Sequence, residues 1–274
     1  MDSGLVCARQ DGVATVRLHH PTKRNAMTAA MWRELPPLLD GLAADPAVRA
    51  VVLTGSGDTF CAGADISSLR GDSAPQGLAL AAEERLAAFP KPTLAVVRGF
   101  CVGGGCQLAV ACDLRFAAEG ARFGITPAKL GIVYPATSTR RLVELVGPSA
   151  AKHLLFSAEL IGTDRALRTG LVDEVLPEEE LDGRVTDFTR SLTLRSQLTQ
   201  AAAKEFAAGP ARPDRVRYWS GQAASGAEAQ EGVAAFLERR APVFTWTPPS
   251  GADAATEPDT GPVTEQPGGP GPSA

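Results

Sequence analysis

The chain lacks a surplus of positive charge: 31 Asp and Glu oppose 27 Lys and Arg over 274 residues, giving a formal net charge of -4. Four of the acids, Asp253, Glu257, Asp259 and Glu265, lie in the stretch from Thr247 onward, which holds no Lys or Arg, so the body before it is formally neutral. A neutral body carries no basic footprint, which argues against nucleic acid or an anionic membrane as a partner. A Cys-x-x-Cys pair is also lacking. The five cysteines (Cys7, Cys61, Cys101, Cys106 and Cys112) sit in apolar or Gly-rich surroundings. Reduced thiols in a cytoplasmic protein are therefore expected, with no metal site. No apolar run reaches membrane-spanning length, because Arg98, Gln107 or Asp113 interrupts each candidate. The opening residues do not read as a basic-then-apolar signal peptide. Gly-Lys-Ser/Thr is absent and Gly103-Gly104-Gly105 lacks the G-x-G-x-x-G spacing, so neither phosphate-loop motif is present. The three histidines, His19, His20 and His153, are far in sequence from the small-residue turns described below, and structural or exposed positions are expected for them.

What is there reads as alternating strands and helices. Val13 to Leu18 alternates apolar and polar residues as a half-buried strand does. Thr28 to Ala44 is helix-like, with Pro36-Pro37 expected to kink it or delay its start. Short apolar strands follow at Arg49 to Thr54 and Thr93 to Val97, separated by a helix over Pro75 to Phe89. Helices are expected at 106–113, 136–146, 149–157 and 164–169, then from 178 to 240 with breaks near Gly209-Pro210 and Pro213. The pattern predicts an α/β body over 1–190 and a helical region over 191–246. The remainder, 247–274, is a Pro/Gly-rich acidic tail with too little apolar surface to offset its ordering entropy, and disorder is expected there.

Two segments repeat one design, a buried strand, a turn of small residues and a helix start: Val51 to Ile66 and Leu94 to Ala109. Small residues let a ligand approach the backbone, and a helix start offers unpaired N–H groups with partial positive charge. Two such groups converging on one point would hold a developing oxyanion, each typically worth on the order of 3 kcal/mol in the transition state. Either turn alone is more often a structural connection between strand and helix; the pairing is what points to a site.

Through PTKRNAMT (21–28), FCAGADI (60–66), the run from 89 to 135 containing GFCVGGGCQLA, TDRALRTGLVDEVLP (163–177) and EGVAAFLERRAPVF (231–244), the body resembles the crotonase, or enoyl-CoA hydratase/isomerase, superfamily. The resemblance implies a spiral core of ββα units with a helical C-terminal trimerisation region, and a homotrimer or a hexamer of paired trimers. It implies an acyl-CoA substrate, with CoA entering as part of that substrate and no separate cofactor. The N–H groups of Ala64 and Gly104 would hold the thioester oxygen as it becomes enolate-like. Lys23, Arg24, Asn25, Ala26, Ala62, Asp65 and Ile66 match the adenine and pantetheine path, and Phe236 and Arg239 match C-terminal positions that contact CoA. For Phe236, plain helix core is the competing reading.

The chain departs from the hydratase pattern at both acid/base positions. Gln107 and Pro127 stand where hydratases carry glutamates, and neither side chain takes up or releases a proton at neutral pH. The run TPAKLGIVYP (126–135) is similar to the methylmalonyl-CoA decarboxylase branch, which implies an active-site role for Tyr134, with Gln107 able to hydrogen-bond the leaving carboxylate. Loss of carbon dioxide generates an enolate without a carboxylate base. Decarboxylation of a malonyl-type CoA is thus the leading expectation. A hydratase or isomerase using another acid (Asp65, Asp72 or Glu84) and a non-catalytic acyl-CoA-binding subunit are the other two.

Overall fold

The computed structural model describes residues 3–65 and 75–248; Ile66, Asp72, most of the segment between Ser67 and Gln76, and the tail from Pro249 onward lie outside the described residues. The chain opens with an antiparallel hairpin, β1 (Gly4–Gln10) and β2 (Val13–His19). Its two-residue turn, Asp11-Gly12, has positive φ at both positions (50° and 82°), as tight Asp-Gly hairpins require. β1 escapes a reading by periodicity because most of it is exposed, whereas β2 buries Ala14, Val16 and Leu18 in strict alternation.

Helix α1 (Ala29–Ala44) starts under Thr28, whose hydroxyl accepts from the Met31 N–H, and runs uninterrupted through Pro36 and Pro37. The late start expected from those prolines does not occur. The apolar stripe Met31, Trp32, Leu35, Leu39 and Leu42 is fully buried, and that burial outweighs the two lost backbone bonds. At its far end the buried Lys91 ammonium donates to the carbonyls of Leu42 (3.1 Å) and Asp45 (2.7 Å), satisfying orphan groups of the helix terminus.

Next come β3 (Ala50–Gly55), α2 (Pro75–Ala87), β4 (Thr93–Val97), β5 (Phe100–Val102), α3 (Gly104–Ala111), β6 (Leu114–Ala118) and β7 (Arg122–Gly124). Helix α4 (Ala136–Ser157) breaks at Gly147 (φ 76°) before Pro148, so it is two helices end to end, as expected from the sequence. β8 (Ile161–Gly162), α5 (Thr163–Thr169) and β9 (Glu174–Leu176) complete the core. After it lie α6 (Glu178–Thr193), α7 (Gln197–Ala207), α8 (Pro213–Ser225) and α9 (Glu228–Glu238). None of these helices is long and apolar enough to cross a membrane.

Among the described residues, six strands form one sheet in the order β1-β2-β3-β4-β6-β9, parallel from β2 onward, and β5, β7 and β8 form a second. The chain steps repeatedly from the large sheet to the small one and then into a helix: β4, β5, α3, and again β6, β7, α4. This repeated ββα step is the α/β architecture expected from the sequence. Both faces of the large sheet are covered. Val51, Leu53, Ala95 and Val97 join the main core with residues of α1, α2 and α3, while Val52, Leu94, Val96, Phe116 and Ala118 meet Leu181 of α6. Burial on both faces explains why β3 and β4 read as continuous apolar runs rather than alternating ones. The helical end is fastened to this core by Lys204 of α7, whose ammonium donates to the Asp113 carboxylate (2.8 Å) and the Lys91 carbonyl (3.1 Å).

Four of the five cysteines, Cys61, Cys101, Cys106 and Cys112, are buried, and Cys7 is half-buried. Burial pushes the Cys61 and Cys112 thiols up to about 12 and the Cys101 thiol well above its ordinary value. Iodoacetamide at pH 8 is expected to label Cys7 alone in the native protein and all five after denaturation. Mass spectrometry of the peptides checks this, and rapid native labelling at Cys61 or Cys112 would contradict it.

Candidate active site

The two strand-turn-helix junctions lie side by side. Phe60 and Cys61 N–H groups donate to the carbonyls of Arg98 and Phe100 (2.8 Å each), and the Val102 N–H returns to the Cys61 carbonyl (2.9 Å). Gly105 sits so close to this seam that an added Cβ would lie 2.5 Å from the Cys61 oxygen. On the first junction, Met27 donates to the Gly63 carbonyl (2.8 Å) and accepts from the Asp65 N–H (2.9 Å). In that parallel bridge the Ala64 N–H points away from Met27. The Ala64 nitrogen lies beside the start of α3: a Cβ built on Gly104 would lie 3.6 Å from it. Gly104 is the first residue of α3, so its N–H has no partner within the helix. Gly103, at φ 54° and ψ −121°, adopts a conformation that suits glycine, and its N–H is tied to the Gly124 carbonyl (2.8 Å). The two backbone donors expected from the sequence therefore stand at one point.

They open on a cavity of about 150 Å³ whose walls include Trp32, Ala62, Gln107, Thr126, Pro127, Ile132 and Tyr134. The structure thus brings Ala62, Ala64, Gly104, Gln107 and Tyr134 together. No carboxylate lines the cavity among the described residues. Pro127 begins a single 3-10 turn (Pro127–Leu130) on one wall. Tyr134 is packed against the core, and burial, with Cys106 and Cys101 nearby, raises its phenol above the ordinary value. It therefore remains a neutral donor throughout the physiological pH range.

Gln107 is 6% exposed and its amide nitrogen is fully engaged. It donates to Glu83 Oε2 at 2.5 Å and to Ser138 Oγ at 3.2 Å. The expectation that Gln107 hydrogen-bonds a leaving carboxylate is thereby overturned, because the group left over is its carbonyl oxygen, an acceptor. Glu83 is the residue that inspection of the sequence missed. Of the neighbouring pair on α2, Glu84 is exposed whereas Glu83 is 1% exposed. The signal was present: Ala79, Ala82, Glu83 and Leu86 follow the i, i+3, i+4, i+7 spacing of a buried helix face.

The remaining expected residues divide. Asn25 is 1% exposed and spent on structure: its Oδ1 accepts from the His20 N–H (3.0 Å), and its Nδ2 donates to the carbonyls of Ser56 (2.8 Å) and Thr59 (2.6 Å). Those bonds staple the 20–26 turn to the first junction and use both amide hydrogens, and burial shuts the remaining Oδ1 lone pair away from a ligand, contrary to the expectation of a CoA contact through this side chain. Ala26 is buried beside it, its carbonyl 2.8 Å from His20 Nδ1. Lys23 is exposed and donates to both Asp65 carboxylate oxygens (3.0 and 2.8 Å), and the exposed Arg24 places its guanidinium 5.2 Å from the Phe100 ring centre. Phe236 and Arg239 are not among the cavity walls. Phe236 is 83% exposed on α9, which removes the helix-core reading, and Arg239 forms the left-handed cap of that helix.

A family model described as enoyl-CoA hydratase/isomerase matches residues 8–247. The chain is 35% identical over 248 residues to a crotonyl-CoA hydratase of Syntrophomonas wolfei, covering 86% of this chain and 95% of that one. It is 33% identical over 259 residues to a 2,3-dehydroadipyl-CoA hydratase of Escherichia coli, covering 88% and 98%. A crystal structure of an enoyl-CoA hydratase/isomerase family member superposes with a TM-score of 0.84 at 37% identity, covering 90% of this chain and 98% of that one. The crystal structure of an enoyl-CoA hydratase from Bacillus anthracis superposes at 0.80 with 28% identity, covering 88% and 98%.

Proposed function

Because this chain belongs to the enoyl-CoA hydratase/isomerase family and acts on an acyl-CoA, we propose that it decarboxylates a malonyl-type thioester through an enolate held by Ala64 and Gly104. The observation that carries this reading is the meeting of two unpaired N–H donors on a cavity whose described wall holds no carboxylate. In the step itself, the bond between the α-carbon and the carboxylate breaks, its electron pair passes into the enolate, and neutral carbon dioxide leaves. A proton then returns to the α-carbon as the thioester carbonyl re-forms. The electron sink is that carbonyl, stabilised by backbone donors, so the chemistry needs no metal or organic cofactor. Apolar walls and the Gln107 carbonyl oxygen disfavour a carboxylate, and its loss as a neutral molecule relieves that unfavourable contact. Tyr134, kept neutral by burial, supplies a hydrogen bond on the same wall.

Hydration is the second reading, favoured by the hydratase names of the relatives. It requires a base for water and an acid for the α-carbon, and Gln107 and Pro127 supply neither. The exposed Val233, Phe236, Leu237 and Val243 of the C-terminal region support self-association, for which the family resemblance implies a homotrimer or a hexamer of paired trimers. Purified protein is expected to release carbon dioxide from malonyl-, methylmalonyl- or ethylmalonyl-CoA and to leave crotonyl-CoA unhydrated. Tyr134→Phe is expected to slow that release on the order of tenfold to a hundredfold with substrate still bound. Rapid crotonyl-CoA hydration without carbon dioxide release would sink the decarboxylase assignment.

A further inference from the structure

Behind the cavity wall, three helices bring four polar side chains into one buried network. Glu83 of α2 receives the Gln107 amide of α3, the Ser138 hydroxyl of α4 and the Arg141 guanidinium of α4. The Arg141 pairing compensates the charge of a carboxylate that is 1% exposed, as a buried charge requires. Ser138 gives its only proton to Glu83 Oε2, so toward Gln107 it acts only as an acceptor. Both Gln107 N–H groups therefore have acceptors, Glu83 Oε2 and Ser138 Oγ. Rotating the amide by half a turn would press its oxygen against a carboxylate oxygen 2.5 Å away, with no proton between them. Glu83 thus allows one amide orientation.

Gln107 follows Gly104 by three residues on α3, so both lie on the same helix face and line the same cavity. The acyl carbons of a thioester seated between the Ala64 and Gly104 N–H groups would share that cavity with the Gln107 oxygen. We propose that Glu83 is a positioning residue that fixes Gln107 as a pure acceptor, so that the cavity selects acyl groups bearing a hydrogen-bond donor, such as a 3-hydroxyl, over those bearing an acceptor, such as a 3-ketone. The proposal rests on the acyl-CoA reading but not on decarboxylation. A site built to hydrogen-bond one polarity rejects the other because its own buried group is left unpaired.

Equilibrium binding of butyryl-CoA, both enantiomers of 3-hydroxybutyryl-CoA and acetoacetyl-CoA to the full chain tests it. One hydroxy ester is expected to bind roughly tenfold more tightly than the keto ester. In Glu83→Gln, whose amide accepts either orientation of Gln107, that preference is expected to fall to within about twofold while butyryl-CoA affinity changes by less than about threefold. A wild-type protein that binds the ketone as well as the alcohol overturns the proposal, and so does an E83Q protein that keeps the full preference. Should E83Q fail to fold, Gln107→Met removes the acceptor and leaves the Glu83 pairs with Ser138 and Arg141, and a surviving hydroxyl preference there is equally decisive against it. Failure of every ester to bind, butyryl-CoA included, overturns the acyl-CoA reading and the proposal with it.

Discussion

Gly104→Ala is expected to lower turnover by roughly a hundredfold to a thousandfold, the effect of losing one oxyanion donor in the proposed chemistry. The added methyl would lie 2.9 Å from Trp32 Cζ2 and 3.6 Å from the Ala64 nitrogen, in the space between the two donors. Trp32 is fully buried on α1 and has little room to retreat. The developing oxygen is then displaced from at least one N–H, while ground-state contacts made elsewhere along the substrate persist. The loss is therefore expected in kcat more than in KM. Steady-state kinetics beside a thermal melt checks this. Activity within threefold of wild type would remove Gly104 from the chemistry.

Gly105→Ala, one residue further on, acts on stability instead. Its Cβ would meet the Cys61 carbonyl oxygen at 2.5 Å, the Cys61 Cβ at 2.7 Å and its Sγ at 3.0 Å. Two of these atoms belong to or sit directly on backbone held by the seam between the junctions, so the clash cannot be relieved by turning a side chain. A cost of about 3 kcal/mol or more is expected, which for a chain of this size lowers Tm by roughly 10 °C. Gly183→Ala is the matched control. It lies within α6 with nothing near its added Cβ, and a gain of about 0.5–1 kcal/mol is expected there. Equal melts for both variants would mean that the seam is not tightly packed.

The contrast between neighbouring residues shows what the sequence made legible. Backbone donors announce themselves through small residues between a buried strand and a helix start, because both the turn and the N–H groups are local. The β3 and β4 strands were equally plain, being apolar on both faces. Glu83 was harder to see, because its significance lies in Gln107, Ser138 and Arg141, which are 24, 55 and 58 residues away. Asn25 failed in the opposite sense: its motif resembles a ligand-binding one, yet its side chain bonds the His20, Ser56 and Thr59 backbone. The uninterrupted α1 is a third case, in which tertiary burial of Trp32, Leu35 and Leu39 overrode local proline chemistry.

The order of the large sheet, β1-β2-β3-β4-β6-β9, has a consequence for how the chain is made. Each strand docks on an edge formed by strands that precede it in the chain, so the sheet can lengthen as the polypeptide leaves the ribosome. The walls of the cavity run from Trp32 to Pro135 and the Glu83 network closes at Arg141. About half of the chain is then still to be translated, and a nascent polypeptide released after that point already carries every described side chain of the cavity wall.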